Sequence, residues 1–155
     1  MIIRNAKKGD EEGLAELFKQ FWETHDRMDP LLKPAKKLNH LKSAKESIKE
    51  KKENRFFIVA EIDGKVVGYK EFFIKEQDKF FKIKKYGYLD STVVHKNYRK
   101  KGIAKQLTQK ALKILKKRRI KYIKSNVYLK NKVALKSWKK LGFKERSVNL
   151  FKELR

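Results

Sequence analysis

The sequence predicts an α/β domain with a mixed sheet and helices on both of its faces. Apolar residues at helical spacing alternate with short β-branched and aromatic runs along the 155 residues. The pair Asp63-Gly64 joins two of these runs as a hairpin. No repeat, linker or low-complexity stretch divides the chain, so we expect one domain over residues 1–155.

The first half of the chain is predicted to hold one short strand, two helices and the hairpin. Asp10 stands where a helix N-cap is expected, and apolar residues then recur every three or four positions as far as Trp22. Both prolines fall within residues 28–34, which therefore predict a loop. The expected elements are strand 2–4, helix 10–22, helix 38–52, strand 55–62 and strand 65–74.

The second half is predicted to alternate strands with helices. A long strand reaches Val94, and its interior Gly87 indicates a bend or bulge. A helix follows with apolar residues from Ile103 to Leu115, and a later helix stops at Gly142. The remaining expected elements are strand 120–129, helix 132–141 and a last strand region 143–154.

Composition excludes several classes of protein. The chain has no cysteine, which excludes disulfides, thiolate metal sites and a cysteine nucleophile. No apolar run is long enough to span a membrane, and the first residues lack the layout of a signal peptide. We therefore expect a cytoplasmic protein that is not a membrane protein. Its sequence is compatible with a monomer and with a homodimer.

Charge is distributed unevenly along the chain. Residues 1–77 carry a net charge of +3, whereas residues 78–155 carry +22. A field of this sign speeds the capture of anions, and it fits either a polyanion or a set of solvated lysines. Solvated lysines are the favoured interpretation.

A strand, a basic loop and a helix start follow one another between Tyr88 and Ala104. The first N–H groups of a helix have no partner within it, and the helix dipole adds partial positive charge there. Arg99, Lys100 and Lys101 add full charges, and Gly102 has no Cβ to keep an anion away. The arrangement predicts a phosphate-binding loop, and a solvated basic helix start is the alternative.

Two patterns together resemble the GNAT superfamily of acyl-CoA-dependent N-acetyltransferases. They are Arg99-x-x-Gly102-x-Ala104 and the later run from Asn131 to Phe143. The resemblance covers nearly the whole chain, with its motifs in residues 88–143. It implies a largely antiparallel mixed sheet whose central strand pair splays apart to admit acetyl-CoA as cosubstrate. His25, His40 and His95 lack the spacing of metal ligands, so we expect no metal.

The resemblance also implies the residues that hold the cofactor. Strand N–H groups would line pantetheine and the thioester, the loop would hold the pyrophosphate, and residues beyond the splayed strand would complete the site. Asn131 has a second interpretation as a plain helix N-cap, and both roles can hold together. The implied set is Thr92, Val93, Val94, Arg99, Lys100, Lys101, Gly102, Ile103, Ala104, Lys105, Asn131, Ala134 and Trp138.

The catalytic acid and base are implied by position. Asp90 stands where many family members carry an acidic residue, and on a regular strand it would share a face with Thr92 and Val94. It is the candidate base for the amine, and an exposed acid paired with lysine is the alternative. The family tyrosine seven positions after the asparagine is Trp138 here, and an indole is not a practical acid. Tyr128 or water is therefore expected to protonate the thiolate.

Acidic and aromatic residues near the end of the first helix are the candidate acceptor site. Trp22, Asp26 and Asp29 would form a mouth that suits a cationic amine, and ordinary solvated acids are the alternative.

The main functional hypothesis is acetyl transfer from acetyl-CoA to a primary amine by direct attack in a ternary complex. The acceptor would be a small molecule or a peptide. Two alternatives remain. One is a protein N-terminal or lysine acetyltransferase. The other is a catalytically weak CoA-fold module that binds nucleic acid or ribosome, a partner that is not favoured.

Overall fold

The computed structural model describes residues 1–34, 36–50 and 52–154. Five strands form one sheet in the order of the sequence. They are β1 (Ile2–Asn5), β2 (Arg55–Ile62), β3 (Lys65–Glu76), β4 (Lys85–Val94) and β5 (Ile123–Lys124). The first three pairs are antiparallel, and β4 pairs with β5 in parallel. This confirms the predicted mixed, largely antiparallel sheet.

Helices cover both faces of the sheet, as predicted. The helices are α1 (Glu11–His25), α2 (His40–Lys49), α3 (Ile103–Lys117) and α4 (Lys132–Lys140). One core cluster joins α1 and α2 to Val59, Tyr69 and Val93 of the sheet. The other joins α3 to the opposite face, and Trp138 of α4 packs at its margin. No described helix is long and apolar enough to cross a membrane.

A β-bulge divides β4 into two segments. Lys70 of β3 is paired with Thr92, but Phe72 is paired with Leu89, so β4 holds an extra residue around Asp90 and Ser91. Leu89 and Val94 consequently lie in the same core cluster although they are five positions apart. On a regular strand they would point to opposite faces.

Two predictions about β4 are therefore wrong. The extra residue reverses the alternation, so Asp90 does not share a simple period-two face with Thr92 and Val94. The irregularity also does not lie at Gly87, which is in regular register with Ile74. A Cβ at Gly87 would approach Leu115 Cδ1 to 2.8 Å, so this glycine allows α3 to pack closely on the sheet.

The end of the chain also differs from the prediction. The expected strand 120–129 is reduced to the two residues of β5, and residues 143–154 form no strand. A two-residue β5 offers almost no edge with which a sixth strand could pair. The apolar residues predicted for that strand are consequently exposed, with Leu150 at 94%.

Candidate functional site

A gap opens in the sheet between β4 and β5. The two strands pair only at Gly87 with Ile123 and at Tyr88 with Lys124. Beyond these residues β4 continues to Val94, whereas β5 has ended. The second segment of β4 therefore presents an edge that no described strand covers, which confirms the predicted splayed strand pair.

Backbone N–H groups of β4 point into this gap. His95 N–H donates to Val67 O of β3 at 2.9 Å, and Tyr69 is paired with Val93 in the same ladder. Because successive N–H groups of a strand point to opposite edges, those of Thr92 and Val94 are directed towards the gap. Val93 N–H is directed towards β3, and its side chain lies in the α1/α2 core. A direct cofactor contact for Val93 stays a prediction.

The basic loop closes one end of the gap. A 3₁₀ turn over Lys96–Tyr98 follows β4, and Arg99 Nε donates to Val94 O at 3.1 Å. Gly102 has φ of 76° and is the N-cap of α3. A side chain rarely adopts this left-handed conformation, so the turn favours glycine even though a Cβ would meet no protein atom within 4 Å.

The start of α3 leaves several N–H groups free to bind an anion. The first hydrogen bond of the helix is from Gln106 N–H to Gly102 O, at 3.1 Å. The N–H groups of Ile103, Ala104 and Lys105 precede this bond and have no protein acceptor in the described part of the chain. Arg99, Lys100 and Lys101 are all exposed around this point. The local geometry is that of a phosphate-binding helix start.

Helix α4 lies on the same face of the sheet as α3. Asn131 is its N-cap, and Asn131 Oδ1 accepts from Ala134 N–H at 3.0 Å. The capping role predicted for Asn131 is therefore present, and its amide nitrogen is left for other contacts. Trp138 packs edge-on against Phe143, with ring centroids 4.7 Å apart.

Lys70 is not among the residues predicted from the sequence, although it contacts Thr92 and Trp138 of this site. Its side chain is completely buried at 0% exposure, and Nζ donates to Thr92 Oγ1 at 2.6 Å. Nζ also stands 5.1 Å from the centroid of the Trp138 ring. Burial lowers the pKa of Lys70 from 10.5 to about 7, while the charge of Asp90 acts in the opposite direction.

A signal for Lys70 does exist in the sequence. It lies in the otherwise apolar strand Lys65–Glu76, and strand alternation places it on the same face as Phe72, which is in the core. A lysine at an inward position of a buried strand is a candidate functional residue, because burying its charge is costly.

The candidate acceptor residues lie on the α1 side of the gap. Tyr128 Oη donates to Asp29 Oδ2 at 3.0 Å, and His25 stacks on Phe21 with ring centroids 3.8 Å apart. The ring centroids of His25 and Tyr128 are 6.3 Å apart. The pKa of Tyr128 is raised, mainly by burial and secondly by this hydrogen bond to Asp29. These contacts place Tyr128 with the acceptor residues, and its role as the acid stays a prediction.

Asp26 and Trp22 complete this end of α1. Asp26 is the C-cap residue, and its N–H donates to Trp22 O at 3.1 Å. Asp26 Oδ1 is buried without a hydrogen-bond partner among the described residues. The Trp22 ring packs edge-on against that of Phe21, with ring centroids 5.5 Å apart.

Asp90 lies at the bulge of β4, within the electrostatic reach of Lys70 and of His25 at the end of α1. Partial desolvation by the surrounding protein raises the pKa of Asp90, although the residue as a whole is exposed. The charges of Lys75, Lys70 and His25 act in the opposite direction. A carboxylate with a raised pKa on the strand that borders this gap is the arrangement expected of a general base.

The fold and this site together define a class of protein. A split sheet with N–H groups along the split, closed at one end by a basic helix start, is typical of α/β proteins that bind cofactors with phosphates. The model of the acetyltransferase (GNAT) family matches residues 14–143. The chain therefore belongs to the GNAT family of acetyltransferases.

Individual relatives agree with this placement. An N-alpha-acetyltransferase of Sulfurisphaera tokodaii is 37% identical over 97 residues, which cover 57% of this chain and 56% of the relative. The chain thus matches little more than half the length of that relative.

Solved structures share the fold. A mutant of the BH1408 protein from Bacillus halodurans superposes over 100% of both chains with a TM-score of 0.85 at 21% identity. Aminoglycoside N-acetyltransferase AAC(6')-Iy, solved in complex with CoA, gives a TM-score of 0.74 at 22% identity over 99% of this chain and 94% of that one.

Proposed function

We propose that this protein transfers an acetyl group from acetyl-CoA to a primary amine. The observation that carries the proposal is the coincidence of two features in one place. The strand that borders the gap with Thr92 and Val94 continues into the basic loop, which Arg99 Nε ties back to Val94 O, and the loop ends at the free N–H groups of the α3 start. A thioester and a pyrophosphate joined by pantetheine need both features at once.

The residues of the gap suit the acyl donor. The N–H groups of Thr92 and Val94 would donate to the thioester carbonyl, whose oxygen gains negative charge as the amine attacks. The start of α3, with Gly102 and the basic residues before it, would hold the pyrophosphate. Asn131, Ala134 and Trp138 would flank the cofactor from α4. Backbone donors held in fixed positions need no reorganisation during the reaction.

The residues on the α1 side suit the acceptor. An alkyl amine is protonated at neutral pH, so it must lose a proton before it attacks. Asp90 would take this proton directly or through water, and Asp29 with Asp26 would attract the cation to the gap. The aromatic rings of Trp22 and Tyr128 would attract the cation through cation–π contacts.

A protein N-terminus is a second candidate acceptor, and one comparison supports it. The curated relative is an N-alpha-acetyltransferase, and the GNAT fold neighbours include aminoglycoside acetyltransferases. A protein N-terminus and a small polyamine share the reacting group, a primary amine, and differ in the chain attached to it.

Release of free CoA with a panel of acceptors tests the proposal. The panel holds polyamines, lysine, an aminoglycoside and peptides with free or blocked N-termini. We expect release that depends on the amine, and the acetylated product should be detectable by mass spectrometry. Transfer to free but not to blocked peptides would assign the N-terminal class. Release without an acetylated product, or no release with any acceptor, would contradict the proposal.

A further inference from the structure

Trp138 creates a chemical problem that Lys70 is placed to solve. The thiolate of CoA must take up a proton after the acetyl group has left, and the indole of Trp138 is no practical acid. Lys70 Nζ lies 5.1 Å from the Trp138 ring and 2.6 Å from Thr92 Oγ1. It therefore lies between the α4 residue that lacks an acidic proton and the β4 residue whose N–H faces the gap.

The surroundings of Lys70 are those of a reactive group more than of a structural ion pair. Lys70 makes no salt bridge within the described part of the chain. Around Nζ, β4 contributes the Thr92 hydroxyl and the charge of Asp90, and α4 contributes the Trp138 ring. An ammonium group buried with so little compensation is costly, and a structural role would be met equally well by an apolar residue.

We propose that Lys70 is the general acid that protonates the leaving thiolate of CoA. This inference rests on the proposed acetyl transfer. The amine nitrogen forms a bond to the thioester carbon, the C–S bond breaks, and sulfur leaves with the electron pair. One proton then moves from Lys70 Nζ to sulfur, which gives the thiol and a neutral lysine. Solvent returns a proton to Lys70, and the protons released by the amine pass through Asp90 to solvent.

The acidity of Lys70 fits this step. Its pKa of about 7 leaves a large fraction protonated at neutral pH. An alkyl thiol has a pKa of about 8.5, so the equilibrium constant for proton transfer from Lys70 to the thiolate is more than about ten. A solvent-exposed lysine would hold its proton too tightly to donate it well at this pH.

Kinetics of the Lys70→Met variant test the inference, with Lys65→Met as the matched control on the exposed start of the same strand. We expect Lys70→Met to lower kcat by about 10² to 10⁴ and to remove the fall in rate at high pH. Adding Trp138→Tyr to Lys70→Met should restore much of kcat, because it returns a phenolic acid to this place. Wild-type kcat in Lys70→Met would overturn the inference. So would a slow Lys70→Met variant whose pH profile is unchanged and which Trp138→Tyr does not rescue.

A second readout does not depend on turnover. The ¹³Cε signal of Lys70 can be assigned because it is missing from Lys70→Met, and its pH titration can be followed with CoA or with desulfo-CoA. With desulfo-CoA we expect a titration midpoint near that of the protein without ligand. With CoA we expect a clear shift of the midpoint, because only CoA places sulfur beside Nζ. Equal midpoints would overturn the inference. Acetylation of Lys70 itself, detected by peptide mass mapping, would also overturn it by making Lys70 an acceptor.

The two proposals fail in different ways. If the wild-type protein acetylates no amine, the proposed function is wrong, whatever the titration of Lys70 shows. If the wild-type protein is active and Lys70→Met is equally active, the function stands and only the assignment of the acid is wrong.

Discussion

Replacement of Lys70 by methionine should change the way in which stability depends on pH. The pKa of Lys70 is lowered by burial from 10.5 to about 7 in the folded protein. In the unfolded chain it returns to its ordinary value, so the unfolded state binds more protons between these two values. The free energy of unfolding of the wild-type protein therefore rises as pH increases through this window. Below pH 7 the cost of the buried charge is present in full.

The size of the effect follows from the same shift. A depression from 10.5 to about 7 corresponds to about 5 kcal/mol, at about 1.4 kcal/mol per pKa unit. Methionine removes this cost but leaves the Thr92 hydroxyl without its partner, which costs about 1–3 kcal/mol. Near pH 7 the variant should thus be more stable than the wild-type protein by about 2–4 kcal/mol.

Urea unfolding of the two proteins across about pH 7 to 10 measures this difference. Other lysines and tyrosines titrate in both proteins and cancel in the comparison. The advantage of Lys70→Met should shrink steadily as pH rises, whereas Lys65→Met should show no such trend. A difference between Lys70→Met and the wild-type protein that stays constant over this range would refute the assigned burial and pKa of Lys70.

Three further predictions concern catalysis and charge. Asp90→Asn should lower kcat by about 10² to 10⁴ with little change in the KM for acetyl-CoA. It should also abolish the loss of rate that the wild-type protein shows as pH falls through the raised pKa of Asp90. Wild-type rates in this variant over about pH 6 to 9 would remove Asp90 from the mechanism. Tyr128→Phe breaks the bond to Asp29 and should raise the KM for the amine by about tenfold, whereas a fall in kcat alone would make Tyr128 the acid. Added salt should raise the KM for acetyl-CoA and leave the saturated rate unchanged, because salt screens the positive field that attracts the cofactor. Nucleic-acid binding that falls steeply with salt and competes with acetyl-CoA would instead favour the nucleic-acid-binding module.

Much of the fold could be predicted because its signals are local. The Asp63-Gly64 hairpin, the Asn131 cap and the glycine before α3 each follow from the chemistry of one or two residues. The two helical faces of the sheet follow from apolar spacing in the same way. Residues 143–154 could not be predicted from spacing alone, because a strand also needs a neighbour to pair with.

The site was predictable to the extent that it is built from backbone groups in a motif. Gly102 and the start of α3 belong to this part. The bulge at Asp90 was not predictable, because it depends on the register between β3 and β4 and has no marker residue in the strand. Lys70 was overlooked for a related reason. Its importance comes from contacts with Thr92 and Trp138, which are distant in sequence.

Calorimetric titration of CoA into the wild-type protein and the Gly102→Glu variant tests the central claim most directly. Glutamate would place like charge against the phosphates at a position where φ is 76°. Gly64→Glu is the matched control, because Gly64 has φ of +73° and, like Gly102, no protein atom within 4 Å of its Cβ position. We predict that Gly102→Glu weakens CoA binding by about a hundredfold, or about 2.7 kcal/mol, while Gly64→Glu binds as the wild-type protein does. Unchanged affinity in Gly102→Glu would contradict the assignment of this loop to the phosphates of CoA.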